Sequence, residues 1–79
     1  MAAYLDIHKT SEDESQAIYR FALADDRDGE LLLAKESGEI TVKRAMKGDE
    51  NHLNFSRAAK KVHDAWEKGD YPVHLVWAS

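Results

Sequence analysis

Apolar and polar residues alternate through most of the first 44 positions, then switch to a helical spacing after residue 53. From Ala3 to His8, Leu5 and Ile7 point one way and Tyr4, Asp6 and His8 the other, the pattern of a half-buried strand. Lys9 to Ser15 is polar and reads as a loop. Ser11-Glu-Asp-Glu14 also matches a helix-capping box. The clean alternation of Ala17, Tyr19, Phe21 and Leu23 that follows, with its aromatics, favours a strand over 16–24 instead. Asp25 to Gly29 then reads as a turn, 30–35 as a third strand, Glu36-Ser-Gly38 as a second turn and 39–44 as a fourth strand. A glycine near the end of each connection offers the positive φ that hairpins need.

The helical spacing belongs to Asn54–Gly69. Phe55, Ala58, Ala59, Val62, Ala65 and Trp66 recur at i, i+3, i+4, i+7, i+10 and i+11. At roughly 100° per residue they form one stripe about 120° wide, the signature of a helix with one face on a core. Asn54 is the expected N-cap and Leu53 a hydrophobic staple onto Ala58. Lys68 suits the negative end of the helix, and Gly69 the left-handed stop. Residues 45–53 form the longest connection before it. After it, Pro72 to Trp77 reads as a last strand, with Pro72 tolerated at its first position.

These elements predict one α+β domain over 1–79. Its architecture is an antiparallel four- to five-stranded meander with one amphipathic helix on one face, in the order ββββαβ. A spatial order 5-1-2-3-4 keeps every neighbour antiparallel.

Composition narrows the function classes. The chain has 79 residues and no cysteine, so neither a disulfide nor a thiolate nucleophile or ligand is available. An apolar fraction of 43% suffices for a core. The N-terminus lacks a signal-peptide pattern and no apolar run approaches a membrane span, so a cytoplasmic location without membrane contact is expected. The net charge of −4 is uneven: residues 1–39 carry ten acids and four bases, residues 40–79 seven bases and five acids. Glu12-Asp13-Glu14 and Asp25-Asp26-Arg27-Asp28 read as solvated turns.

Candidate chemistry is sparse. No G-x-S-x-G elbow or phosphate-cradling glycine loop occurs, and no carboxylate stands in an apolar run that would raise its pKa. No catalytic residue and no cofactor are assigned, and the chain is read as non-enzymatic. If the last strand lies beside the first, His8, His74 and Asp6 converge on the open face, a donor set suited to zinc, nickel or copper. The spacing matches no recognised motif, so the reading remains surface histidines and no metal site. His52 and His63, about 16 Å apart along a helix, cannot share an ion.

One helix cannot cover both sides of a five-stranded sheet. Tyr4, Ile18, Leu32 and Val76 fall on the uncovered face if Leu5, Tyr19, Leu31 and Val73 point inward. That face, or an edge strand, is the expected surface for a protein partner or a second copy of the chain. The alternative is weak binding of nucleic acid or another polyanion by Arg57, Lys60 and Lys61 on the helix. Asp64 and Glu67 interrupt that row, and the acidic net charge disfavours it.

Overall fold

The structure, a computed structural model, describes residues 4–24 and 27–78. Its elements are β1 (Tyr4–Glu12), β2 (Gln16–Ala22), β3 (Asp28–Ala34), β4 (Ile40–Arg44), α1 (Leu53–Glu67) and β5 (His74–Ala78). The five strands form one antiparallel sheet in the order β4-β3-β2-β1-β5, and α1 packs across one face, as the alternation predicted. Among the described residues no helix is long and apolar enough to cross a membrane.

The core follows from strand phase. Leu5, Ile7, Ala17, Tyr19, Phe21, Leu31 and Leu33 face the helix and are buried against Ala58 and Val62, with Met46 contributed by the β4–α1 connection. Each large side chain removed from water contributes about 1.5–3 kcal/mol, which explains why a chain without staples relies on this layer. Phe55, Trp66, Tyr71, Leu75 and Trp77 close its rim. The Trp66 indole N–H also donates to the Lys35 carbonyl at 2.6 Å, tying the end of the helix to the β3–β4 turn.

Several local expectations need correcting. The polar run after His8 is strand, and β1 continues to Glu12 with a register shift between Lys9 and Ser11. The polarity is locally satisfied: the Lys9 ammonium bonds Glu12 at 2.5 Å and the Tyr71 carbonyl at 2.7 Å, and Lys35 bonds the other Glu12 oxygen at 2.5 Å. Lys35 and then Lys9 hold the Glu12 carboxyl below its ordinary pKa. Asp13 accepts the amide N–H groups of Ser15 and Gln16, so the acidic run closes a hairpin rather than starting a helix.

The helix start also differs. His52 precedes it with φ 53° and no side-chain cap, and Asn54 lies inside the first turn. The cap comes from the buried Asp49, whose two carboxylate oxygens accept the amide N–H groups of Asn54 at 3.0 Å and Phe55 at 3.1 Å. Leu53 is 53% exposed and does not act as a staple. The other end is as expected: Gly69 adopts φ 73° and its N–H donates to the Trp66 carbonyl.

Gly29 lies within β3, opposite Phe21, and it is absent from the positive-φ glycines Gly38, Gly48 and Gly69. It serves close packing, not a turn. Val73 precedes β5 and is 67% exposed, so it does not point into the core; Leu75 and Trp77 take that role. Of the second acidic cluster, Asp25 and Asp26 lie outside the described residues.

Tyr19 makes the core sensitive to alkali. Its hydroxyl donates to the Pro72 carbonyl at 3.0 Å, and burial, followed by the charges of Glu12 and Asp70, pushes its pKa up to about 12. A folded pKa above the unfolded value of about 10 means that this stability is fully present below pH 10. It is lost as pH rises toward 12. Thermal melts are therefore expected to show Tm declining from about pH 10 upward, with a shallower decline in Tyr19→Phe. An equal decline in both proteins would remove Tyr19 as the cause.

Candidate functional site

The face of the sheet away from α1 is built by register. His74 pairs with His8, His8 with Arg20, Arg20 with Glu30 and Glu30 with Arg44, so one row of ionisable side chains crosses all five strands. Arg20 Nε bonds Asp28 Oδ2 at 2.5 Å, Arg44 Nη1 bonds Asp28 Oδ1 at 3.0 Å, and Arg44 Nε reaches Glu30 Oε1 at 3.3 Å. Arg44 and then Arg20 hold the Asp28 carboxyl below its ordinary range. The same contact with Asp28 raises Arg44. The belt is thus largely self-neutralising on its β2–β4 side.

The four apolar residues expected on this face are there, but as two pairs. Ile18 and Leu32 are register partners, half-buried, on one side of the belt. On the other side Tyr4 is 49% exposed and pairs with Ala78, while Val76 lies opposite Asp6. The belt between the pairs prevents one continuous apolar patch. Single-strand alternation does not reveal such a belt; it emerges only when the strands are aligned side by side.

At the β1–β5 end the belt gathers a carboxylate and two imidazoles. The Lys9 N–H donates to the Val73 carbonyl at 2.8 Å, so the next pair, His8 and His74, is a non-hydrogen-bonded one, where side chains approach most closely. Their rings stack with centroids 4.3 Å apart and planes 9° apart. Asp6, two residues before His8 and on the same face, bonds His74 Nε2 and lies 3.6 Å from His8 Nε2, both through Oδ1. A cleft of about 330 Å³ beside them is lined by Tyr4, Asp6, His8, Arg20, Ala22 and Leu23. A larger depression, about 950 Å³, lies around Lys35 and Tyr71, where β2 begins and β3 ends, away from this cluster.

The helix residues expected to hold an anion are dispersed. The Arg57 guanidinium stacks over the Trp77 ring at 4.1 Å, and Lys60 pairs with Asp64 at 3.4 Å. Lys61 lines a groove beside β5 together with Asp64, Lys68 and Asp70. A second cluster, His63, Asp64 and Glu67, sits on the outer helix face, where His63 Nδ1 is 3.1 Å from Glu67. Asp64 is already engaged by Lys60 there.

The two sheet edges differ in kind. β4 carries Lys43 and Arg44 and a register shift between Glu30 and Leu31 of its neighbour, devices that discourage further pairing. β5, His74-Leu-Val-Trp-Ala78, contains no lysine, arginine, carboxylate or proline. Because hydrogen-bonded pairs alternate from Lys9/Val73 through Ile7/Leu75 to Leu5/Trp77, the amides and carbonyls of His74, Val76 and Ala78 point outward. Compared with protein-family models, curated proteins and solved structures, the chain matches none.

Proposed function

We propose that this chain is a non-enzymatic interaction domain that binds protein by accepting a strand at the edge of β5, and that the strand is β5 of a second copy. The observation that carries this reading is the contrast between the edges: β4 is charged and irregular, β5 neither. The polar belt also weighs against the open face as an apolar docking surface, because it divides Ile18 and Leu32 from Tyr4 and Val76.

Antiparallel pairing about Val76 sets His74 against Ala78 of the second copy and Leu75 against its Trp77. Leu75 and Trp77 then meet in a non-hydrogen-bonded pair on the helix side, the closest cross-strand geometry. The flanking groove carries Lys61 and Lys68 with Asp64 and Asp70, two bases and two acids, a charge set compatible with its own copy across a two-fold axis.

The test is the oligomeric state by sedimentation velocity. The Val76 N–H points away from β1, so Val76→Pro removes an edge donor while sparing the β1–β5 ladder. The wild-type chain is expected to dimerise and Val76→Pro to sediment as a folded monomer. Ile18→Lys with Leu32→Lys is expected to leave the dimer intact. A wild-type chain still monomeric at about 100 µM, weaker than the Kd of a working homodimer, would reject the reading; a dimer broken only by the Ile18 and Leu32 changes would move the surface to the open face.

A further inference from the structure

We propose that Asp6, His8 and His74 form a binding site for a divalent transition-metal ion that ties β5 to β1. Each of the three side chains offers one ligand atom within 4.8 Å of those of the other two. Both imidazoles present the same nitrogen to the same carboxylate oxygen. In a tetrahedral zinc site with bonds of about 2.0–2.1 Å, neighbouring donors are separated by about 3.3 Å. The separation of 3.6 Å between His8 and Asp6 is already close to that value. To bind one ion together the two rings must leave their parallel stack and turn so that their Nε2 lone pairs converge.

The backbone beneath is pre-organised. His8 and Asp6 are two apart on one strand and so share a face, and His74 is held opposite His8 by the β1–β5 register. No part of the site lies on a loop. The site is partly exposed, with side chains 37–46% accessible, so water can complete the coordination shell.

The donors select the class of ion. Two imidazoles and one carboxylate suit Zn²⁺, Co²⁺, Ni²⁺ or Cu²⁺. A single carboxylate is a poor set for Ca²⁺ or Mg²⁺, which prefer several oxygen ligands. Asp6 and His74 are joined by a hydrogen bond. A cation bound there takes the place of that hydrogen bond. Arg20, the neighbouring cation on the belt, is turned to Asp28 and leaves the carboxylate of Asp6 to the imidazoles.

An ion bound here bridges residues 68 positions apart in sequence. Because it binds the folded pair of strands and not the open chain, it must raise thermal stability. The experiment titrates the full chain with zinc chloride by calorimetry and repeats the titration with Co²⁺ followed by visible absorption. One ion per chain is expected, with Tm rising about 10 °C when zinc is at ~100 times its Kd. Mg²⁺ should produce no rise. His8→Ala and His74→Ala should abolish binding while retaining the wild-type circular dichroism, and His63→Ala, at the other cluster, should retain it. In wild-type protein, paramagnetic Co²⁺ should broaden the ring resonances of His8 and His74 before those of His52 and His63, which needs no variant to fold. No binding, or first broadening at His63, would overturn the assignment.

Discussion

Gly29→Ala is expected to destabilise the protein by about 3 kcal/mol or more and to lower Tm by at least about 12 °C. An added Cβ would lie 2.7 Å from Phe21 Cζ, 2.8 Å from the Arg44 carbonyl oxygen and 2.9 Å from the Met46 amide nitrogen. Two of those three neighbours are backbone, so no change of rotamer relieves them. The third, the Phe21 ring, is fully buried. Inserting one carbon into such a site ordinarily costs about 1–3 kcal/mol, and backbone neighbours move it to the upper end. A domain of this size has a total stability of only about 4–12 kcal/mol, so the effect is a large fraction of the whole. Phe21→Leu combined with Gly29→Ala frees one contact of the three and should not restore stability. Thermal melts measure both; a Gly29→Ala Tm within about 3 °C of wild type would mean that β3 and β4 separate more easily than the packing implies.

The second large effect is expected at Gly38. Here φ is +77°, and a Cβ would meet three atoms of the Trp66 ring at 2.6–2.8 Å. The ring is anchored through its hydrogen bond to Lys35, so displacing it breaks that bond and uncovers the end of the core. Left-handed strain of about 1–2 kcal/mol adds to overpacking of about 1–3 kcal/mol. Gly69 separates the two contributions, because it adopts φ +73° with nothing within 4 Å of an added Cβ. Gly38→Ala should therefore lose roughly twice the stability of Gly69→Ala and shift tryptophan emission to longer wavelength. Equal losses without an emission shift would leave backbone strain as the sole cause.

Alternation and the helical stripe suffice for the architecture, since burial of Tyr19, Phe21, Leu31 and Val62 depends on phase alone. What escapes them is whatever depends on neighbours distant in sequence. The Lys9–Glu12 segment looks like loop because Glu12 pairs with Lys35 and Lys9 donates to the Tyr71 carbonyl, partners that local polarity cannot anticipate. Asn54 carries the right side chain for a cap but is displaced by Asp49, whose carboxylate reaches across five residues. Gly29 resembles a turn residue until Phe21 is placed against it. The imidazole–carboxylate cluster lies between these cases. Side-chain phase and strand order suffice to bring its three residues to one region, but only the register makes His8 and His74 direct partners.

The register also gives the fold a simpler description. Tyr4 and Ala78 are cross-strand partners, and among the described residues β1–β5 is the sheet pairing whose strands are not consecutive in the chain. A short hairpin joining Ala78 to Tyr4, with new termini opened between β4 and α1, would give the order α1-β5-β1-β2-β3-β4. In that circular permutant every strand would pair with the next one along the chain. The described strands form an up-and-down ribbon, and joining Ala78 to Tyr4 would exchange their most distant pairing for a local one.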